Sequence, residues 1–501
     1  MFYPELKKLP EKTYKLSSFG GIKRGSFVPE SYFSDMENFT SDAFPLLSVR
    51  QKRGKWSGVT YYGDEKRYTS VILYPGKGLT AVCKVNSKIC CCGEDGVTFN
   101  GKAVRGTELS PEVDIRTAVP IGRNIFIVPD GVYIKIKDEG NEVIKCDVPV
   151  MDFAVERNNR IWGCRYGLNK NGEFVNEVYA SELGNPENFT VFQGISTDPY
   201  TANLGCSGEF TGAAVLGNEV LFFKEEYIIR ISGDTPSDFT VASIPARGVE
   251  KGAHLSVVNL NEQIFYKSRG SIMVFDSALP YCVSEELGEI HYTDAVAGGD
   301  AGKYYIAMTD EDGRRGIFVY DTKTRLWHRE DDNEPTKFML SIDGCLYFIK
   351  LVSQEIINSA VSNRYCVYIN NVEKIGNAIN LFGESDMFEG YEYRKESDIY
   401  WYAETGKIGE NVNPSRQYIR NIYLTLSMEK DAYLNVFIKP DDMGQWEKLC
   451  VIENPSSGVF TVPVNITPCH SFRLRFEGKG EFTLYALTRK TQITSEVKGI
   501  G

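Results

Sequence analysis

The sequence predicts an all-β chain in which a six- or seven-bladed β-propeller-like domain (57–388) is followed by a C-terminal antiparallel β-sandwich (389–490), with an extended N-terminal arm (1–56) in front and a short tail (491–501) behind. Three observations predict it. Short apolar runs bracketed by turn residues recur through the middle of the chain. One turn is written nearly twice, as YASELGNPENFTVF (179–192) and, about fifty positions on, within IIRISGDTPSDFTVA (228–242). Beyond residue 420, strict alternation of apolar and polar residues takes over. A repeat of roughly 40 to 50 residues is the spacing of propeller blades.

The arm comes first. Gly20-Gly21, Pro29 and Pro45 punctuate it too often for a regular element, so an extended segment that donates one strand to close the ring is expected. It ends in the basic cluster VRQKRGKW (49–56). Arg50, Lys52, Arg53 and Lys55 beside Trp56 are candidates for contact with an acidic partner or DNA. A solvated charge run is the plainer reading. Four cations are too few to make the chain a DNA binder by themselves.

The middle of the chain is built of similar units. PIGRNIFIVPDGVYIKIKD (120–138), RNNRIWGCRYG (157–167), LGNEVLFFKEEYIIRIS (216–232), VNLNEQIFYKSRGSIMVFDS (258–277), AGKYYIAMTDEDGRRGIFVYDTKTRLWH (301–328) and SIDGCLYFIK (341–350) each set apolar strands between polar turns. NIFIVP and VLFF are too short for helices and fit buried inner strands, while VYIKIK alternates as a strand with one wet face does. The best helix candidate is VSQEIINSAV (352–361). One such sheet cannot bury both its faces and must stack on neighbours around a ring. Insertions at 167–177 and 195–210 blur the period, which leaves the blade number at six or seven; a β-helix or two packed sandwiches would also accommodate the pattern.

The C-terminal strands are the clearest. Leu434, Val436 and Ile438 share one face and Asn435 and Lys439 the other; Phe472, Leu474 and Phe476 oppose Arg473, Arg475 and Glu477 in the same way. The Glu-Gly-Lys-Gly turn (477–480) makes a hairpin with the last strand. Alternation with one solvated face is the mark of an antiparallel sandwich.

Composition narrows the function classes. At 501 residues and 42% hydrophobic, the chain can bury more than one core, and its 29 Tyr and 28 Phe suit strands. No apolar run approaches the roughly 20 residues of a membrane-spanning helix. MFYPELKKLPEKTYK lacks the apolar stretch of a signal peptide, so folding in the cytoplasm is expected. A net charge of −11 disfavours general nucleic-acid binding. The 12 cysteines form no CxxC pair, and in KICCCGED (88–95) successive thiols point to opposite faces of a strand, so buried free thiols are expected.

Catalytic signatures are missing. His254, His291, His328 and His470 stand far apart and belong to no metal motif, and there is no G-x-S-x-G elbow, P-loop or dinucleotide fingerprint. The acids of ASELG, KEEY and REDDNE (329–334) are expected to be solvated groups at strand ends. Asp310, Asp312 and Gly313 open like a calcium loop, but Arg314 and Arg315 occupy the next positions, so a tight polar turn is expected. Neither a sialidase Asp-box nor a repeated Trp-Asp is present; IFVYDTKTRLWH and IMVFDSALPYCV have a faint kelch-like look. No catalytic, cofactor-binding or metal-binding residue is expected, and the chain is not expected to be an enzyme.

SFGGIKRGSFVPESYFSDMENFTSDAFPLLSVRQKRG (18–54) resembles the opening of structural propeller proteins of tailed bacteriophages, the head-to-tail stabilisation or tail-hub (nozzle) family. The shared features are Gly-Gly-Ile, then acidic-Asn-Phe, then Pro-x-Leu-x-x-Arg-x-x-Arg-Gly. SELGNPENF with EVLFFKEEYIIRISG, and the final FRLRFEGKGEFTLYAL, are similar to the same group, so the resemblance spans nearly the whole chain. It implies a virion protein assembled in the host cytoplasm. Such proteins form a homo-oligomeric ring, usually of six copies, below the portal and adaptor. They retain packaged DNA, guide its ejection without binding it specifically, and carry distal tail or fibre proteins. The alternative is a carbohydrate-binding or receptor-binding propeller with a central funnel lined by acids, Arg and Tyr; a kelch-type scaffold lacks the regular Gly-Gly and Trp repeat.

Overall fold

The computed structural model describes residues 11–493 apart from 63, 72, 74, 77, 95, 139, 289–290, 358–359, 373–388, 410–415, 442–443 and 454–456. Among the described residues, seven antiparallel sheets make a propeller, and two further sheets make a sandwich. Blades 1 to 6 span 79–103, 117–145, 153–203, 212–245, 258–282 and 293–331, four strands each in sequence order. The first strand of each blade lies against the first strand of the next, and that of blade 7, Thr336–Ile342, lies against that of blade 1, Leu79–Val85. The ring is therefore closed at seven blades.

Local chemistry explains the hairpins. Asn158-Asn159 and Asn261-Glu262, which join the first two strands of blades 3 and 5, all have positive φ, the geometry whose twist matches that of the flanking strands. The three consecutive cysteines behave as the period of a strand demands. Cys91 packs with Trp56, Ile89 and Phe338 on one side of blade 1. Cys90 and Cys92 pack with Ala81, Ile125 and Ile127 on the other. All 12 cysteines are free, and nine are buried.

The duplicated turn has one job done twice. Each copy joins the third and fourth strands of its blade, in blades 3 and 4 respectively. Phe189 of the first packs among Val119, Phe126 and Tyr133 of blade 2. Phe239 of the second meets Trp162 of blade 3 edge-on, with centroids 4.9 Å apart. Each turn also makes an ion pair with the preceding blade: Glu187 with Lys135 at 2.7 Å, and Asp234 with Arg157 at 2.8 Å. The repeat is an inter-blade latch.

Three parts of the structure depart from the sequence reading. Residues 11–56 do not form a free-running arm, and 1–10 lie outside the described residues. Glu11–Leu16, Phe39–Thr40 and Leu47–Val49 join one sandwich sheet, and Phe33–Glu37 joins the other. Their apolar residues Phe33, Met36, Phe39 and Leu47 complete a core continuous with Leu434, Val436, Leu474 and Phe476. The strand Gly54–Tyr62 straddles the expected boundary and pairs with Ala360–Ile369, so the N-terminal chain supplies the fourth strand of blade 7. Gly390–Lys395, expected in the sandwich, pairs with Gly54–Tyr62 and belongs to that blade too. The helix candidate at 352–361 instead enters the strands Cys345–Ile357 and Ala360–Ile369, registered at Ser353↔Arg364 and Gln354↔Asn363; a neighbouring strand overrides weak local preference. The tail beyond 493 lies outside the described residues, and 491–493 end the last strand, Phe482–Ile493.

Candidate functional sites: the basic cluster and the axial cavities

The basic cluster is turned inward. Arg50 is 6% exposed, Arg53 2% and Trp56 1%. Arg50 donates to Asp331 at 2.6 Å, to Glu396 at 2.5 Å and, through Nε, to the side-chain oxygen of Asn38 at 2.8 Å. Arg53 donates to Glu330 at 2.7 Å, and its backbone N–H donates to Glu396 at 2.7 Å. Lys52 pairs with Asp398 at 3.0 Å, Lys55 stands 5.4 Å from the centroid of Tyr368, and Trp56 stacks on Tyr391. Arg50, Arg53 and Trp56 form an internal joint that presents no surface to DNA or to an acidic partner, while Lys52 and Lys55 are half-buried beside it.

Two of their partners, Glu330 and Asp331, come from REDDNE, whose acids are expected from the sequence to be solvated. Glu330 and Asp332 are buried, and Asp332 accepts from Lys350 at 2.9 Å and from the Thr336 hydroxyl at 2.6 Å. Burial alone would raise the Asp331 carboxyl, but Arg53 and Arg50 outweigh it and hold it well below the usual carboxylate range. Burial likewise works against the Arg53 charge, and Asp331, Glu330 and Glu396 more than offset it. Asn38 completes the joint at φ 64°: its backbone N–H donates to Arg329 O, and its side chain bridges Arg50, the Asp331 N–H and Tyr400 O. Asn tolerates this left-handed backbone better than most residues. Gly21 lies so close that a Cβ there would sit 2.2 Å from Trp327 O, and the next residue, Ile22, donates to that oxygen at 2.7 Å. The Gly-Gly-Ile, Glu-Asn-Phe and Arg-x-x-Arg-Gly elements thus all lie where sandwich meets ring.

Two cavities open at the end of the ring where the inner strands begin. One, of about 370 Å³, is lined from blades 1, 2, 5, 6 and 7, including Asp114, Arg315 and Tyr365. The other, of about 380 Å³, lies among blades 2 to 5. They share Gly252 and His254. The second has an apolar base of Met151, Phe153 and Phe210 with Tyr166 beside it. Tyr166 and Phe210 are held by the buried Lys224, whose Nζ lies 4.7 Å and 4.5 Å from their centroids while donating to Asn176 Oδ1 and Cys206 O. At its polar edge, Arg165 donates to Asp152 at 2.5 Å, and Lys251 pairs with Glu209. Burial raises the Asp152 carboxyl, opposed by the Tyr166 N–H and by Arg165. Burial pushes His254 down to about 4, so its ring is neutral at neutral pH.

Sequence reasoning gave His254 no role and did not single out Thr211 or Lys224; an isolated Thr or Lys just outside a strand end carries no spacing signal. Asp310 accepts from the backbone N–H groups of Asp312 and Arg314 at 3.0 and 2.8 Å, which makes that segment a polar turn. Among the described residues, no group of three or more His, Cys, Asp or Glu is placed to hold a metal, and no helix is long and apolar enough to cross a membrane.

No protein-family model and no curated protein matches the sequence. Solved structures do. The chain is similar to BamB from Moraxella catarrhalis (12% identity, 71% of this chain and 96% of that one, TM-score 0.35). It is also similar to the WD40 domain of Toxoplasma gondii coronin (9% identity, 69% and 77%, TM-score 0.30) and to apo AztD from Citrobacter koseri (13% identity, 60% and 90%, TM-score 0.35). These likenesses are distant. The β-propeller rests on the chain's own pairing of seven sheets into a closed ring.

Proposed function

We propose that the chain is a structural protein of a tailed-phage virion, one subunit of an oligomeric tail-hub ring below the portal and adaptor that retains packaged DNA and guides its exit. One observation carries the reading: the segment that resembles the phage family, 18–54, is also the segment that welds ring to sandwich. Asn38, Arg50 and Arg53 tie blade 6 to the sandwich side through buried, hydrogen-bonded charges. A propeller welded to a sandwich transmits load as one body, which suits a stacked tube part better than a hinged enzyme. The charge of −11 favours passage of DNA without arrest.

Co-expression with the portal and adaptor of the same genome tests this. The chain is expected to co-purify with the portal–adaptor complex as several copies per complex. Elution apart from both at micromolar concentrations contradicts the proposal.

A further inference from the structure

The two copies of the duplicated turn differ in what they leave in water. In blade 4, Val241 enters the fourth strand opposite Ile231 and is half-buried. In blade 3, Val191, Phe192 and Ile195 lie in an insertion ahead of the fourth strand, Tyr200–Asn203, and are 61%, 59% and 50% exposed. Leu183, whose N–H donates to Thr197 O, adds a further exposed apolar side chain to the same loop. The latch does not use these side chains; Phe189 and Glu187 make it. The loop is nonetheless braced. Asp198 accepts from the N–H groups of Gln193, Gly194 and Ile195, and Arg160 donates to the carbonyls of Ser181, Ser196 and Asp198. Apolar side chains gathered in water on a braced loop mark an interaction site.

Charge selects the partner. Between Lys170 and Lys224 the chain has seven carboxylates and no Lys or Arg. Glu182, at the foot of the loop, accepts only from the Asn185 and Asn188 side chains and is in no ion pair among the described residues. One sandwich sheet has the opposite composition. Its six strands hold Lys12, Lys15, Arg420, Arg489 and Lys490 against Glu11 alone, in a chain of net charge −11. Arg489 is buried on Glu30, but Lys15, Arg420 and Lys490 pair with no acid among the described residues. Cross-strand register puts Lys15, Lys490 and Tyr423 on the face turned away from the buried Ile422 and Leu424, where Val459, opposite Thr425, adds apolar surface. The sandwich is joined to the ring at blade 6, and blade 3 lies three blades away in a ring of seven, so the two patches do not meet within one chain. A contact between two different faces of identical chains is head-to-tail and closes into a ring. We infer that the blade-3 loop docks on the basic outer face of the sandwich in a second copy of this chain. The contact rests on the virion reading, whose ring of copies it holds together.

Sedimentation velocity of the full chain at micromolar concentrations tests it. Copies are expected to associate, and less so as salt rises, because exposed charges are screened. Val191→Lys with Gln193→Lys makes the loop basic, and Lys15→Glu with Lys490→Glu makes the sandwich face acidic. Each pair alone is expected to weaken association about tenfold or more. An equimolar mixture of the two is expected to recover it, since every loop then meets a face of opposite charge. Phe192→Ser and Val459→Ser probe the same contact without changing charge, and each is expected to weaken it about three- to tenfold. These side chains lie at the surface, so the Tm of each variant is expected to hold. A chain that stays monomeric, variants that associate like the parent, or a mixture that does not recover overturns the inference. Capture by portal and adaptor decides the virion reading separately: association through these faces without that capture leaves the contact standing and sinks the tail role.

Discussion

Arg50 and Asp331 meet at 2.6 Å although 281 residues separate them in the chain. The pair is nearly closed to solvent on the arginine side and joins the N-terminal segment to the last strand of blade 6. Replacing such a pair by apolar residues can be neutral, but removing one partner strands the other charge.

Arg50→Ala is therefore expected to cost about 3–5 kcal/mol, because Asp331 and Glu396 lose their shared cation. Urea titration followed by tryptophan fluorescence measures it. Arg123→Ala, which removes an exposed pair with Asp138, is the control and is expected to leave the midpoint unchanged. Equal midpoints for the two variants contradict the role given to the joint.

Gly21→Ala is expected to destabilise by about 3 kcal/mol, since its Cβ would press on Trp327 O, a backbone atom that cannot swing aside. Thermal melting of this variant beside Gly25→Ala separates crowding from backbone freedom. Gly25 has open space around the Cβ position and pays only for its φ of 135°. A smaller loss at Gly21 than at Gly25 contradicts the crowding argument.

Acid is expected to weaken the fold before carboxylates protonate. Burial pushes His254 to about 4 and His328 to about 3, whereas an unfolded His titrates near 6.5. As pH falls, the unfolded chain takes up these protons first, so the stability from keeping both rings neutral is whole above about pH 6.5. It is lost progressively as pH falls toward the folded values. Between pH 7 and 5 the loss is roughly 2 kcal/mol for each histidine. Denaturant midpoints across that range measure it, and His328→Leu should remove about half of the slope; an unchanged slope refutes the assignment.

The thiols are expected to be inert in the native state. Hydrogen bonding to Cys83 and burial raise the Cys90 thiol, and burial raises Cys91 and Cys164 well above the ordinary value. Ellman's reagent at pH 8 is expected to spare these thiols in native protein and to titrate all 12 cysteines in guanidinium. Prompt native labelling of Cys91, read by peptide mapping, contradicts the packing of blade 1.

What the sequence disclosed follows its periods. Leu434, Val436 and Ile438 alternate, and all three are fully buried, because a strand with one wet face writes its burial directly into the chain. The duplicated turn was legible for the same reason, since each copy solves one local problem. The joint was not. VRQKRGKW and REDDNE each look like a solvated charge run, and only the fold brings Arg50 and Arg53 to Glu330 and Asp331. The two basic and acidic runs were complementary, but nothing local says that they meet. Likewise the strands at 11–49 carry little alternation, since they add to sheets whose main strands lie more than 350 residues later.

The central claim is that copies of this chain form a ring of welded propeller–sandwich bodies. Electron microscopy of the purified chain, alone and with portal and adaptor, tests it most directly. The account predicts closed rings with a central channel, docked below the adaptor, in which each subunit shows a seven-bladed disc fixed against a sandwich. Isolated particles that ignore both partners, or a disc and sandwich that vary in relative orientation, contradict it.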